Sequence, residues 1–275
     1  MFNLGVLLAE RGDGEEAEQW FRRAIDAGHI GAVFNLGVLF AGRGRQKEAE
    51  QWYRRAIDAG HIGAMFNLGV LLAERGDGEE AEQWFWRAAD AGDTEAMSNL
   101  GVLLAERGDG EEAEQWYRQA ADAGHTGAVF NLGLLFVERG EGEEAEQWFW
   151  RAADAGDTEA MFNLGVLFAG RGRQEEAEQW YRRAADAGHI GAMFNLGVLF
   201  AGRGRQEEAE QWYRRAIDAG DTGAMSNLGV LLAKRGDGEE AEQWFRRAAD
   251  AGDTGAVFNL GLLFAERGDG EQTER

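Results

Sequence analysis

An all-α solenoid of stacked antiparallel helix pairs is the fold the sequence predicts, and three observations predict it. The tripeptide Asn-Leu-Gly begins at Asn3, Asn35, Asn67, Asn99, Asn131, Asn163, Asn195, Asn227 and Asn259, always 32 residues apart. The pair Gln-Trp keeps the same step from Gln19-Trp20 to Gln243-Trp244. Apolar residues within each copy recur with the period of a helix. A fixed period of this size marks supersecondary units that contact mainly their neighbours, so no single core closes. The length of 275 residues alone would have suggested two globular domains.

The copy from Ala32 to Gly63 shows each element in turn. Helix A runs over Ala32 to Ala41, with Val33, Leu36, Gly37 and Phe40 on one face. A glycine inside a helix costs about 1 kcal/mol against alanine. Gly37 recurs in every copy, which predicts a close helix approach there. A turn at Gly44 follows. Helix B runs from Gln46 to Ala59 and packs through Ala49, Trp52, Tyr53, Ala56 and Ile57, and Gly60 supplies a left-handed stop. In five copies the A-to-B turn reads Arg-Gly-Asp-Gly, as at Arg11 to Gly14, and in three it reads Arg-Gly-Arg-Gln, as at Arg43 to Gln46. In the first form Gly12 ends helix A, Asp13 caps helix B, and Glu16 completes a capping box. Glu18 and Arg22 form a helical i,i+4 pair. Trp86 and Trp150 replace that arginine in two copies and read as exposed.

Counted this way, one solenoid holds eight helix pairs over 1–254. An unpaired ninth helix A spans about 255–266, and a frayed tail spans 267–275. Leu260, Leu263 and Phe264 are then expected near an uncovered end. That arrangement suits a fragment or truncated duplicate, or an array whose open ends stack head to tail.

Composition narrows the function. The net charge of -22, from 50 acidic and 28 basic residues, opposes binding to nucleic acid or to an anionic membrane and suits a basic partner. There is no cysteine, hence no disulfide, thiolate metal site or cysteine nucleophile. No apolar run is long enough to span a bilayer and no signal peptide is visible, so the cytoplasm is the expected compartment. The repeated Arg-Gly-Asp is explained by its stop and cap roles and not by adhesion. The histidines, His29, His61, His125 and His189, all occupy one junction slot that Asp93, Asp157, Asp221 and Asp253 fill elsewhere. Asp suits a helix start better than His does. Repeats stack roughly 10 Å apart, too far for these histidines to share a metal, so they read as surface loop residues. Adjacent acids such as Glu15-Glu16 do not face one another, so acid–base catalysis is not indicated. No phosphate loop, activated serine or dinucleotide fingerprint is present. The chain reads as a non-enzyme without cofactor or metal.

Asn-Leu-Gly, Ala49, Trp52-Tyr53-Arg54-Arg55-Ala56 and the junction Ala152 to Ala160 together resemble Sel1-like repeats of the tetratricopeptide superfamily. The A-to-B turn is shorter than is usual in Sel1-like units and resembles that of tetratricopeptide repeats, while the proline common after helix B in the latter is missing. The resemblance covers nearly the whole chain. It implies a right-handed superhelix with helix A lining the concave side, and adaptor or scaffold work on a peptide or protein. The implied groove positions are Phe34, Asn35 and Val38, Phe66, Asn67 and Val70, Asn99, Phe130 and Asn131, Phe162 and Asn163, and Phe194 and Asn195. Ala41 and Gly42 lie beside them, Phe2 and Phe258 extend the Phe ladder, and Ser98 and Ser226 interrupt it. Two readings of the Asn ladder stand: its amides bond the backbone of an extended peptide, or the asparagines bridge adjacent A helices or merely persist through recent duplication. Basic partners for an asparagine clamp on a peptide carboxylate are missing, because the preceding turn carries Gly31, Gly63, Glu95 or Glu159. Near-identical copies such as 85–97 and 149–161 point to duplication, and the copies differ mainly at groove and groove-edge positions. The leading expectation is a scaffold that binds a peptide or protein in its groove. The alternatives are a self-assembling array using its ends and a regulatory fragment of a larger signalling protein.

Overall fold

A computed structural model of the chain describes residues 1–268. Those residues form helices joined by short loops, in two compact units. The first unit, Met1–Gly140, holds α1 (Phe2–Glu10), α2 (Gly14–Asp26), α3 (Ile30–Gly42), α4 (Gln46–Asp58), α5 (Gly63–Arg75), α6 (Gly78–Asp90), α7 (Thr94–Arg107), α8 (Gly110–Asp122) and α9 (Thr126–Glu138). The second unit begins at Glu141 and holds α10 (Gly142–Asp154), α11 (Thr158–Gly170), α12 (Gln174–Asp186), α13 (Ile190–Gly202), α14 (Gln206–Asp218), α15 (Gly223–Arg235), α16 (Gly238–Asp250) and α17 (Thr254–Arg267). Odd-numbered helices are the A helices and even-numbered ones the B helices. The expected tail overlaps the described residues only at Arg267 and Gly268; 269–275 lie outside them.

Within each unit every helix packs on its neighbours in sequence, and A helices also touch the A helix of the next repeat, as α7 touches α9 and α11 touches α13. The helical solenoid is therefore built as the 32-residue step predicts. The predicted faces are buried: Leu36 and Phe40 on α3, and Ala49, Tyr53 and Ala56 on α4, while Trp52 and Ile57 are half-buried. Leu263 and Phe264 on α17, expected near an uncovered end, are buried as well. The exposed apolar residues of that helix are Val257, Phe258 and Leu262.

The glycine inside each A helix has the predicted cause. A Cβ on Gly37 would stand 2.7 Å from the Tyr53 ring, one on Gly101 2.6 Å from Tyr117, and one on Gly229 2.6 Å from Phe245. The aromatic of helix B lies flat against the bare backbone of helix A, which lets the pair approach closely.

Loops repeat with half the period of the helix pairs. A glycine of positive φ recurs every 16 residues from Gly12 to Gly268, so A-to-B and B-to-A turns share one stop. At Gly12 the amide bonds Ala9 O at 3.1 Å and the Asp13 amide bonds Leu8 O at 2.9 Å. At Gly28 the partners are Ile25 O at 2.8 Å and, for the His29 amide, Ala24 O at 3.0 Å. These paired bonds satisfy the last carbonyls of each helix and need a left-handed residue, which glycine adopts without strain.

The helix starts differ, and here two expectations are corrected. Asp13 stands at the N-cap of α2, yet its side chain makes no cap bond, and neither do Asp77, Asp109 and Asp237 in their copies. Their ψ of 54 to 55° is not the extended backbone from which a side chain reaches back to the helix amides. The carboxylates of Asp77, Asp109 and Asp237 instead pair with Arg75, Arg107 and Arg235. The capping box is therefore absent, and in those three copies Arg-Gly-Asp is a local ion pair across a glycine turn. At the B-to-A junction the backbone is extended, and Asp93 and Asp157 accept from Ala96 N at 3.0 Å and Ala160 N at 2.9 Å. His125 and His189 cap equally well, their Nδ1 accepting from Ala128 N at 3.0 Å and Ala192 N at 3.1 Å. The slot thus takes a side-chain acceptor one bond beyond Cγ, which both residues offer.

Candidate interaction groove

The A helices line up side by side within each unit, and shallow grooves run between them. The predicted positions face these grooves to different degrees. Val38 is 40% exposed, and its equivalents Leu134, Val166 and Val198 are similarly open, whereas Val70 is half-buried. Phe34, Phe66, Phe130, Phe162 and Phe194 are half-buried, as are Asn35, Asn67, Asn99, Asn131, Asn163 and Asn195.

The Phe rings serve packing as well as surface. Phe34 tilts against Tyr53 of its own repeat at 6.1 Å and stacks on His61 of the next at 4.3 Å. Phe162 repeats the arrangement with Tyr181 at 5.9 Å and His189 at 4.4 Å. Each such histidine therefore joins two repeats, and these side chains are not the surface loop residues that the sequence suggests. Nε2 of His125 lies 3.2 Å from Glu95, and that of His189 lies 3.2 Å from Glu159, so the ring that caps one A helix also holds the preceding one. Burial pushes the His61 imidazole below its ordinary value, favouring the neutral ring.

The asparagines make local bonds where they are paired. Nδ2 of Asn35 donates to Gly31 O at 2.9 Å, and Nδ2 of Asn163 donates to Glu159 O at 2.9 Å, both one turn back on the same helix. Asn195 bonds the Tyr181 phenol. Each of these partners lies within one repeat or in the helix directly before, not on a neighbouring A helix.

Two grooves of the first unit are deep enough to form cavities. One, of about 530 Å³, lies between α1 and α3, with Val6, Val38, Leu39 and Phe21 as apolar walls and Asn35 and Arg43 at its rim. The other, of about 240 Å³, lies between α7 and α9. Val102, Ala105, Leu134 and Leu135 wall it, with Asn131, Glu106 and Glu138 around them and Tyr117 below. Burial, with Glu74 beside it, pushes the Tyr53 phenol up to about 12. Burial with Glu138 and Glu106 does the same to Tyr117, and burial alone to Tyr213, again to about 12. The groove floors therefore carry neutral phenols. The groove edge varies from copy to copy: Glu10, Gly42, Glu74, Glu106 and Glu138 in the first unit, Gly170, Gly202, Lys234 and Glu266 in the second.

The B-helix surface is ionic, and its main device escaped the sequence reading. The expected Glu18 and Arg22 pair forms at 2.9 Å. The same Glu18 also accepts from Arg43 at 3.3 Å, at the end of the next A helix. This 25-residue rung recurs as Glu50–Arg75 at 2.7 Å, Glu82–Arg107 at 3.0 Å, Glu146–Arg171 at 2.6 Å and Glu210–Arg235 at 2.6 Å, and as Glu114–Arg139 and Glu178–Arg203. Both partners are constant in the sequence at that spacing, which was the available signal. Where an arginine stands three residues after the Gln-Trp tryptophan, the ring lies under it, as Trp84 lies 4.7 Å from Arg87. Trp150 is 45% exposed and meets Trp180 edge-on at 4.5 Å. Trp86, expected to be exposed, is half-buried against Trp116. Among the described residues no three His, Asp or Glu side chains are grouped to hold a metal ion, and no helix is long and apolar enough to cross a membrane.

Two family models, both described as tetratricopeptide repeat, match this chain. One covers residues 1–29, 31–61, 130–189 and 191–224, and the other covers 62–91, 94–123 and 222–251. The chain belongs to the tetratricopeptide repeat family. Its solved relatives place it among the Sel1-like members. It is similar to a protective antigen of uropathogenic Escherichia coli strains displaying an SLR fold, at 27% identity and a TM-score of 0.75 over 99% of this chain and 65% of that one. The chain thus spans just under two thirds of that relative. It is also similar to a Sel1 repeat protein from Oxalobacter formigenes, at 28% identity and a TM-score of 0.73, covering 95% of this chain and 86% of that one. YrrB, a TPR protein with an unusual peptide-binding site, is 21% identical with a TM-score of 0.50 over 65% of this chain and 97% of that one, a likeness that shows the fold alone. No curated protein sequence matches significantly. Tetratricopeptide and Sel1-like repeats generally mediate protein–protein interactions and are typically non-enzymatic scaffolds.

Proposed function

We propose that the chain is an adaptor that binds an extended peptide or protein segment along the A-helix grooves, doing no chemistry of its own. The observation that carries this reading is the groove itself. Its apolar positions Val38, Leu134, Val166 and Val198 stay open to solvent beside the fully buried Leu36, Leu132, Leu164 and Leu196 of the same helices. An apolar floor with a few fixed polar groups is what a peptide side chain needs for burial and orientation. The groove edge varies among copies, from Gly42 to Glu74 to Lys234, which alters its surface charge. The net charge of -22 favours a basic segment.

Selection from a random-peptide display library on the full chain tests this. Selected peptides are expected to lose affinity by about tenfold or more on Val38→Glu, Val166→Glu or Val198→Glu, because each places a desolvated charge in the groove. Circular dichroism of these exposed-site variants should remain unchanged. A library that yields no groove-dependent peptide, or binders indifferent to all three substitutions, overturns the reading.

A further inference from the structure

The groove between α7 and α9 differs from the other A-helix grooves of the first unit in what it leaves unsatisfied. Tyr117 lies beneath it, 4% exposed, with its ring against Gly101. Its side chain lines the cavity, and its hydroxyl, like that of Tyr53, has no hydrogen-bond partner among the described residues. Glu106 and Glu138 flank the same cavity, one from each A helix. Neither forms an ion pair or side-chain hydrogen bond among the described residues. The arginines that follow them are committed elsewhere: Arg107 to Glu82 at 3.0 Å and to Asp109, and Arg139 to Glu114 at 2.5 Å. Two unpaired carboxylates thus share a recess whose walls, Val102, Ala105, Leu134 and Leu135, are apolar.

Position by position, no other groove of the unit repeats this set. Between α5 and α7, Glu74 and Glu106 are both present, but the floor is Phe85, which has no hydroxyl. Between α3 and α5 the floor is Tyr53, but Gly42 replaces one carboxylate. An aliphatic recess whose lining also carries two carboxylates and a hydroxyl fits a long side chain with a positive end. The stem buries against the Leu and Val side chains while the head meets the acids, as lysine and arginine stems commonly do.

We propose that the α7/α9 groove is a socket for one lysine or arginine side chain of the bound segment, held by Glu106, Glu138 and the Tyr117 hydroxyl; this rests on the groove reading above. The test uses the full chain and two small probes, n-butylammonium and n-butylguanidinium chloride, with n-butanol as the uncharged control at matched ionic strength. Both cations are expected to shift the methyl signals of Leu134 and Leu135 saturably in carbon–proton NMR spectra, and n-butanol is not. Glu106→Gln with Glu138→Gln should weaken cation binding by about tenfold or more, since two exposed carboxylates lose their charge with little change of shape. Tyr117→Phe should weaken it by a smaller factor. Equal shifts from n-butanol, no shift from either cation, or undiminished binding to the double variant overturns the socket. Peptides selected on the groove separate the two readings. If they bind the groove, but replacing Lys with norleucine or Arg with citrulline changes nothing, the socket is wrong and the groove stands. If no groove-dependent peptide is found, the groove reading fails and takes the socket with it.

Discussion

At the scale of single residues, the tightest constraint in each repeat is a missing methyl group. The Cβ of an alanine at 101 would lie 2.6 Å from Cδ1 and Cε1 of Tyr117, well inside contact distance. Tyr117 is only 4% exposed and is open only toward the recess between α7 and α9, so most of its ring is held in place. Alanine gains about 1 kcal/mol of helix propensity over glycine, and overpacking a rigid core costs about 1–3 kcal/mol, so the clash wins. Gly101→Ala is expected to destabilise the chain by about 1–2 kcal/mol in urea unfolding. Gly42 is the control, since its added Cβ would meet nothing within 4 Å. Gly42→Ala should be neutral or stabilising by about 0.5 kcal/mol. Were the two substitutions to shift the midpoint equally, glycine at 101 would not be explained by the tyrosine.

At the scale of elements, identical letters at two helix starts do different work. Asp93 accepts the Ala96 amide at 3.0 Å, while Asp109, also an N-cap residue, turns to Arg107. Asp93→Ala should therefore cost about 1 kcal/mol, the usual worth of a side-chain cap. Asp109→Ala should cost clearly less, because it removes only an exposed ion pair. Equal losses in parallel thermal melts would contradict the distinction. This difference also shows where the sequence stops being legible. The repeat length, the buried faces of α3 and α4 and the close approach at Gly37 all follow from residue identity and spacing. Whether an aspartate caps depends on ψ at the turn, which packing sets and no local motif records. The rung from Glu82 to Arg107 left a signal, two oppositely charged residues constant at a spacing of 25, but only the stacking of helix B on the next A helix shows that they meet. At the groove, the resemblance to Sel1-like repeats pointed to Asn131. It did not point to Tyr117, which lines the same recess from helix B, where Gly101 lets that helix come close.

At the scale of the whole chain, the question is whether charge holds the repeats together or drives them apart. A net charge of -22 is self-repelling, and removing carboxylates should relieve it. The rungs act the other way, since each ties a B helix to the next A helix inside its unit. Glu50 decides between them because the Arg75 hydrogen bond, opposed by burial and helped by Arg54, holds its carboxyl below the ordinary 4.5. For Glu114, burial pushes the value up, but Arg139 and Arg118 more than offset it. Glu210 behaves likewise through Arg214 and Arg235. A folded value depressed in this way gives stability that is complete above the unfolded value and is lost as pH falls through the folded one. Glu50→Gln, Glu114→Gln and Glu210→Gln combined should therefore lower the unfolding midpoint by a few degrees at neutral pH, although the substitutions remove three negative charges. The gap between wild type and variant should stay constant down to about pH 5, then close below the ordinary carboxyl value as the glutamates protonate. Taking the difference cancels the general relief of repulsion that both proteins share on acidification. The rung carboxylates are only about a fifth exposed (21% for Glu50, 22% for Glu114, 18% for Glu210), so 1 M salt should narrow the gap without abolishing it. A triple variant more stable than wild type at neutral pH would mean that self-repulsion outweighs the rungs, and that the apolar faces alone hold the stack.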